Sequence, residues 1–251
     1  MKVKVDTAFY RDLTMAAIHA LGEYHQVMES QLEALKTEDR NKIPSHIKNL
    51  VLDEEQKMAE WDIAMDEHTA KYDMLFRNFF RYSFVVLVNL FVESSLRELC
   101  CAVQDLKEIT ERVPNPRSNI IEKRKKFLCE AGVSVSQELW EPITTLTKVR
   151  NCIIHASGKV SRSNSKDEQY LREVAKQGLG ILISDIYSER ELHALYREGD
   201  MLVLEAKYCT QIVEDIAKLF ELLCDAAGLG FAAPFLVPRR NEPTDIPKTT
   251  I

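Results

Sequence analysis

The sequence predicts a mainly all-α protein, in which a bundle of helices carries one small β-hairpin before its last helix. Glycine and proline are scarce, with eight residues of each in a chain of 251, so long stretches can stay helical. Within those stretches apolar residues recur at steps of three and four, which is the spacing of one helix face. Apolar residues make up 45% of the chain, which is enough to build one sizeable core.

Two helices are predicted before the most apolar part of the chain. The first covers about Ala8 to Leu35, where leucines and alanines repeat at helical spacing. Pro44 interrupts this pattern, and Ser45 is placed to cap a second helix from about His46 to Lys71. We interpret residues 1–72 as a helical extension that packs on the rest of the bundle.

A third helix, predicted from about Asp73 to Leu106, is the most apolar element and is expected to lie at the centre of the bundle. Its segment SFVVLVNLFV leaves almost no polar face. Asn89, Glu93 and Arg97 nevertheless fall at i, i+4 and i+8, which places them in one polar line along the helix. A carboxylate on such an element is costly unless it is paired, so the sequence raises the question of what pairs with Glu93.

The remaining elements complete the bundle. Helices are expected from about Ser118 to Glu130 and from Ser136 to Gly158, and a short helix is expected in DEQYLREVAKQG. The segments ILISD and MLVLE are typical of strands, with a turn at REGD, and a last helix is predicted from Ala206 to Ala227. We assign residues 73–230 to one bundle domain and residues 231–251, which hold four of the eight prolines, to an extended or disordered tail.

Charge and cysteine usage argue against several classes of function. The net charge of −6 disfavours a protein that coats duplex DNA through a general basic field. Residues 123–126, with the sequence KRKK, form a local basic cluster that we interpret as a solvated helix face. The six cysteines show no Cys-x-x-Cys pair and no Cys/His ligand spacing, so no metal site, no cofactor and no disulfide framework is predicted.

The start of the chain, MKVKVDTAFYRDL, lacks the apolar core of a signal peptide. The longest apolar run, from Phe84 to Val92, is interrupted by Asn89 and is too short to span a bilayer. A cytoplasmic protein without a membrane partner is therefore expected.

The segment TKVRNCIIHASG, residues 147–158, is a helix-like run that contains an arginine among apolar neighbours and stops at a glycine. Projected at about 100° per residue, the inward face of this helix consists of Ile143, Leu146, Val149, Ile153 and Ile154. Arg150 falls within the same arc, whereas Asn151 and His155 lie one turn apart on the adjoining polar face. A guanidinium near the core needs an anion, which can be a carboxylate or a phosphate.

Spacing alone does not decide whether the anion that pairs with Arg150 is a carboxylate or a phosphate. In one interpretation Arg150 pairs with Glu93, and the pair has only an architectural role. In the other, Arg150 binds an anionic ligand. A similar pattern joins Arg40 to His46 in a proline-broken connection, so the structural context of the motif has to discriminate.

That context resembles the HEPN (higher eukaryotes and prokaryotes nucleotide-binding) superfamily. Its features are Arg150-Asn151-x-x-x-His155 late on a helix, then Gly158, a polar loop and a strong last helix. The segment RYSFVVLVNLFVESSLRELC is similar to the preceding helix of the family, and the resemblance covers about residues 75–227. It implies an all-helical bundle and, in many members, a metal-independent endoribonuclease whose Arg and His meet across a homodimer.

The resemblance also implies a role for each of four residues. Arg150 would hold the scissile phosphate and stabilise its developing charge, and His155 would act as general acid or base on the 2′-hydroxyl or the leaving oxygen. Asn151 would orient the histidine or a substrate group, and Glu93 would position Arg150. The expected product is a 2′,3′-cyclic phosphate end. Some family toxins accept a nucleotide on a tyrosine two residues after the histidine, but Ser157 occupies that position here, so such control is not expected.

The predicted function is cleavage of RNA in a defence, stress-response or toxin–antitoxin role, with a homodimer as the active form and an antitoxin or other regulatory protein as a further partner. The alternative is a non-catalytic HEPN-like module that binds a nucleotide, RNA or a protein. A third interpretation is an unrelated helical scaffold in which Arg150 and Glu93 form a buried pair.

Overall fold

The computed structural model describes residues 7–115, 119–184 and 200–230. Within these ranges the predicted fold class is confirmed, because the chain is mainly helical and has one small antiparallel sheet. The α-helices are α1 (Thr7–Arg40), α2 (Ile43–Lys48), α3 (Glu54–Thr69), α4 (Arg77–Leu106), α5 (Ile120–Glu130), α6 (Glu141–Ala156), α7 (Ser165–Lys176) and α8 (Ala206–Ala227). The strands are β1 (Ile181–Ser184) and β2 (Met201–Leu204), and short turns of other helix types are Ala70–Phe76 (π), Gln137–Trp140 and Val160–Arg162 (both 3₁₀).

Helix α4 is the central element, as its apolar sequence predicts. Val85, Val88, Val92, Leu96 and Leu99 are all 0% exposed, because α1, α5, α6 and α8 pack around this helix. A helix that is apolar on nearly every face is stable only when neighbours cover it. None of the helices in the described ranges combines the length and the apolarity needed to cross a bilayer.

The N-terminal helix α1 belongs to the same core. It packs along α8 and α4, and its Tyr10 and Ile18 join the central hydrophobic cluster. The Tyr10 hydroxyl also donates a hydrogen bond of 2.7 Å to the backbone oxygen of Ser95. The predicted boundary between residues 72 and 73 falls inside the π-helical turn Ala70–Phe76, which joins α3 to α4 without a break. The division into an extension and a bundle stays a prediction, and the predicted tail lies outside the described residues.

The predicted start of the second helix is wrong, because two helices, α2 and α3, occupy the segment that was predicted to form one. Pro44 does not precede a capped helix but lies in the first turn of α2, where a missing backbone N–H costs nothing. Helix α3 then begins at a capping box, in which Asp53 Oδ1 accepts from the Gln56 backbone N–H at 2.8 Å and the Asp53 backbone N–H donates to Gln56 Oε1 at 3.2 Å. Asp53, not Ser45, is therefore the capping residue of the long second helix.

The small sheet fixes the end of α6. Strands β1 and β2 pair antiparallel, with Ile181 opposite Leu204, so the two predicted strands are confirmed, although the turn between them lies largely outside the described residues. The segment after α6 bonds to the same sheet, because Leu202 donates its backbone N–H to the Gly158 oxygen at 2.9 Å. Tyr82 of α4 donates its hydroxyl to the Leu202 oxygen. The last turn of α6 is thus held between α4 and β2.

Candidate functional site

The four residues predicted for the site, Glu93, Arg150, Asn151 and His155, line one cleft of about 580 Å³. Its floor is the polar face of α6, and its walls come from α4, α5 and the first turn of α7. The other residues that line it are Asn119, Ile120, Ile121, Glu122, Thr144, Thr147, Lys148 and Asp167. Packing therefore brings Glu93 of α4 to the same cleft as the motif on α6.

Arg150 lies at the rim of the core with its side chain partly exposed in the cleft. Its Nη1 donates a hydrogen bond of 3.0 Å to Asn151 Oδ1. Its Nε is buried and has no hydrogen-bond partner within the described part of the chain, and no described carboxylate forms an ion pair with the guanidinium. A buried donor without a partner is costly, so the guanidinium is available to an anion that enters the cleft.

Glu93 is held from its own helix and not by Arg150. Its Oε1 accepts a hydrogen bond of 2.9 Å from Asn89 Nδ2, and Asn89 is fully buried. The Asn89 amide oxygen in turn lies 3.4 Å from Thr147 Oγ1 on α6, a weak contact. The predicted action of Glu93 on Arg150 is therefore not a direct contact among the described residues, although both side chains face the same cleft.

Arg124 of α5 supports the Glu93 position and was missed by the sequence interpretation. It is only 4% exposed, and its Nη1 donates to the backbone oxygen of Glu93. Burial lowers the pKa of its guanidinium. The prediction that residues 123–126 form a solvated face is wrong for this residue, because the side chain turns under α4 to reach a backbone carbonyl.

His155 lies in the last turn of α6 and is exposed to solvent at the edge of the cleft. Asn151 lies one turn earlier, and its side-chain oxygen is bonded to Arg150. In this arrangement Asn151 orients the arginine, and its predicted role toward His155 or a substrate group stays a prediction.

Lys148 and Asp167 form an ion pair inside the cleft. The Lys148 ammonium also lies 4.8 Å from the centre of the Tyr170 ring, and the Asp167 backbone N–H donates to Asn164 Oδ1 at 3.0 Å, which caps α7. Lys148 was recognisable as part of the polar line on α6. Asp167 was not, because only the packing of α7 on α6 brings it there.

The inward face of α6 differs from the predicted one at more than one position. Ile143, Leu146 and Val149 are 0% exposed, as predicted, but Ile154 is 45% exposed. Cys152 and Ala156 are buried as well, because they lie about 60° and 20° around the helix from Val149, whereas Ile154 lies about 140° from it. Burial also raises the pKa of the Cys152 thiol, which makes this residue of the motif a poor nucleophile.

A larger and more open groove, of about 620 Å³, lies between α7 and the sheet. Its charges are already paired, since Arg172 Nη2 lies 2.9 Å from Glu168 Oε1 and 2.6 Å from Asp200 Oδ2. We select the smaller cleft because it contains, next to a histidine, a guanidinium that no described carboxylate pairs. In the residues that the structure describes, no three His, Cys, Asp or Glu side chains are arranged to hold a metal ion.

Comparisons with protein-family models, with curated proteins and with solved structures gave no match. The resemblance to HEPN proteins therefore rests on the motif from Arg150 to His155 and on its place near the end of a helix. What the cleft can do is decided by its chemistry: an available guanidinium, an accessible imidazole and a carboxylate within one concave site.

Proposed function

We propose that the protein is a metal-independent endoribonuclease of HEPN type that cleaves RNA to 2′,3′-cyclic phosphate ends. The observation that carries the proposal is the cleft over α6, where Arg150 has no carboxylate partner among the described residues and His155 lies at the edge of the same cleft. A guanidinium matches the oxygens of a phosphate. Imidazole is the side chain best suited to proton transfer near neutral pH.

In the proposed reaction the substrate supplies its own nucleophile. The 2′-hydroxyl oxygen attacks the adjacent phosphorus, and the bond from phosphorus to the 5′-oxygen of the next nucleotide breaks. Arg150 stabilises the negative charge that develops on the phosphate oxygens. His155 takes the proton of the 2′-hydroxyl or gives one to the leaving oxygen, and a second His155 from another copy of the chain would supply the other transfer.

Glu93 and Asn151 are proposed to position Arg150. Asn151 holds Nη1 of the arginine at 3.0 Å, which limits the rotation of the guanidinium plane. Glu93 lines the same cleft, held by Asn89, and attracts the arginine electrostatically at longer range. Because such groups are already in place, little free energy is spent on reorganising them when charge develops in the transition state.

A homodimer is the proposed active form. Leu87 and Leu90 on the solvent side of α4 are 44% and 51% exposed, and they lie within two turns of Glu93 on the same helix. A second copy would cover this apolar surface and bring its own motif near the first. The proposed biological setting is defence, stress response or a toxin–antitoxin pair, with a regulatory protein as a further partner in the cytoplasm.

The alternative is a non-catalytic module that binds a nucleotide, RNA or a protein. The acidic side chains in the cleft favour the protein-binding form of this alternative, since Glu93, Glu122 and Asp167 all line the site and, of the described residues there, only Asp167 has a lysine partner. Carboxylates near a phosphate oppose binding of a polyanion, whereas a protein partner with basic side chains would not meet that repulsion.

A cleavage assay in EDTA tests the proposal. The wild-type protein is expected to cut single-stranded RNA without added metal, and Arg150→Ala and His155→Ala are each expected to reduce the rate by about 100-fold or more. Arg40→Ala and His46→Ala are the matched controls, because this second Arg-to-His pair is exposed outside the cleft, and their rates should equal that of the wild type.

Two outcomes decide against the enzyme. Cleavage that persists in Arg150→Ala and His155→Ala would mean that another site, or a contaminant, carries the activity. RNA binding without any cleavage by the wild-type protein, unchanged in His155→Ala, would support the non-catalytic module instead.

A further inference from the structure

Helix α3 packs on the rest of the molecule along a narrow seam. Of its 16 residues, all of which the structure describes, only His68 is buried, and its ring nitrogen Nε2 lies 2.8 Å from the backbone oxygen of Lys36 on α1. Lys57 and Ala64, on the same side of the helix, are partly buried. Most of the α3 surface is therefore open to solvent.

Three apolar side chains form a strip beside this seam. Met58, Trp61 and Met65 lie within about 60° of one another around the helix. Met58 is 70% exposed and Trp61 is 37% exposed, which is unfavourable for large apolar side chains in water. Tryptophan and methionine are also enriched at protein interfaces. We call these three residues the α3 strip.

The α3 strip is not needed to hold the helix in place. The start of α3 is fixed by the capping box of Asp53 and Gln56, and its end is held by the contact of His68 with α1. None of the three residues belongs to the central hydrophobic cluster. An apolar surface outside the core is typical of a contact with another molecule.

The charge around the α3 strip determines what can cover it. Helix α3 carries six acidic residues and one lysine, and the ammonium of that lysine, Lys57, lies 3.1 Å from Glu54 Oε1. Glu55 and Asp62 are exposed and lie about 40–60° beyond Met58 on the helix surface. These two residues form an acidic edge along the strip, which attracts a cation at short range.

The acidic edge disfavours several other occupants. It repels the phosphates of RNA and an anionic membrane surface. A second copy in two-fold contact would place the same edge against itself, which like charges oppose. A basic amphipathic helix fits both features, because its apolar face would cover the strip while its Lys and Arg side chains lie against Glu55 and Asp62.

We propose that the α3 strip is a docking surface for a basic amphipathic helix of a partner protein. The strip extends about 10 Å along α3, which matches two turns of such a helix, and Trp61 lies midway along it. Glu55 and Asp62 select for positive charge. This inference goes beyond the proposed function, because no residue of the strip lines the candidate cleft, and it stands whether or not the protein cleaves RNA.

Tryptophan fluorescence of the full chain tests this docking surface. The probes are two synthetic helical peptides with the same leucine positions, one with lysine and the other with glutamate on the polar face. The chain has two tryptophans, and Trp140 is only 3% exposed. The lysine peptide is therefore expected to shift the emission of Trp61 to shorter wavelength, an effect that Trp61→Phe should remove. Added salt should weaken the binding.

Substitutions on α3 separate the apolar contact from the charge. Met58→Ser is expected to weaken binding of the lysine peptide roughly tenfold, because it removes apolar contact area. Leu13→Ser is the matched control, since Leu13 is 67% exposed but lies at the opposite end of α1 from Lys36. The double substitution of Glu55→Lys and Asp62→Lys should reverse the preference, so that the glutamate peptide binds more tightly than the lysine peptide.

Several results would overturn the inference. An emission that does not shift, or equal losses of binding in Met58→Ser and Leu13→Ser, would show that the strip is not the contact. Equal affinity of the wild type for the two peptides would show that the acidic edge selects no charge. A shift with vesicles of anionic phospholipid, but not with the lysine peptide, would assign the surface to a membrane. A wild-type dimer that Met58→Ser converts to a monomer would assign it to a second copy.

Discussion

Gly158 lies directly after Ser157, the residue that caps α6, and close to the last helical turn that carries His155. Its φ is +78°, a left-handed conformation that favours glycine, and a Cβ built on it would collide with the Tyr82 ring. Tyr82 cannot move freely, because its hydroxyl is bonded to the Leu202 oxygen. The glycine that stops the motif is thus required both by the backbone and by the space beside it.

We expect Gly158→Ala to lower the free energy of unfolding by about 2–5 kcal/mol, because left-handed strain adds to a steric clash. Gly178→Ala is the matched control. Its φ is +70°, but no described atom lies within 4 Å of the position that a Cβ would take, so only the strain of about 1–2 kcal/mol should appear. Urea unfolding of both variants measures the difference, and equal losses would show that Tyr82 imposes no constraint.

Site residues could be predicted from the sequence where they lie close together along the chain. Arg150, Asn151 and His155 share one helix, so their spacing shows that they are near neighbours. Arg124 could not be predicted, because its bond to the Glu93 backbone joins residues 31 positions apart. A basic side chain in a basic run is normally solvated, and only the packing of α5 under α4 reverses that expectation.

At the scale of elements, a partly buried polar network ties α1 to α4 and to β2. Arg81 donates to both carboxylate oxygens of Glu29, at 2.7 and 2.9 Å, and its Nη1 donates to the Leu204 oxygen at 2.8 Å. His25 lies 3.5 Å from Glu29, a weak contact. Burial alone would raise the pKa of the Glu29 carboxyl, but the hydrogen bonds from Arg81 and the nearby His25 ring outweigh burial and lower the pKa to about 2; we attribute most of the effect to the closer Arg81 fork.

The lowered pKa of Glu29 predicts a pH-dependent contribution to stability. The folded-state pKa lies below that of the unfolded chain, so the contribution is fully present above about pH 5 and is lost as the pH falls toward 2. Glu29→Gln should therefore destabilise the protein by roughly 2–3 kcal/mol at pH 7 and by clearly less at pH 3. Urea unfolding at both values checks this, and a difference that stays constant would refute the assignment.

The helices with the longest periodic pattern of apolar residues were predicted most accurately. Helix α8 has the bounds predicted for it, and α4 ends at the predicted Leu106, because long apolar repeats leave little choice of conformation. The split between α2 and α3 was not predicted. A proline is compatible both with a break and with the first turn of a short helix, and the sequence alone does not choose between them.

At the scale of the whole molecule, the exposed apolar surface that Leu87 and Leu90 form on α4 predicts self-association. Wild-type protein is expected to sediment as a dimer, and the double substitution of Leu87→Glu and Leu90→Glu is expected to give a monomer, because charged side chains would then be buried at the interface. Leu222→Glu is the control, since Leu222 is an exposed leucine of α8, at 37%. A wild-type monomer would remove the second His155 from the proposed reaction.

The fold class followed from composition and periodicity, whereas the cleft required tertiary structure. Low glycine and proline content and helical spacing were sufficient to indicate an all-α bundle. The enclosure of the α6 face by α5 and α7 depends on connections that the sequence does not specify.

The most direct test of the central claim is the cleavage in EDTA of two RNA oligonucleotides that differ by one 2′-hydroxyl at the cleaved position. The wild-type protein should convert the all-ribose strand to a product with a 2′,3′-cyclic phosphate and should leave the 2′-deoxy strand intact, because the substrate provides the nucleophile. Arg150→Ala should cleave neither strand. Cleavage of the 2′-deoxy strand, products with 3′-hydroxyl ends, or activity that appears only with a divalent metal would contradict the account.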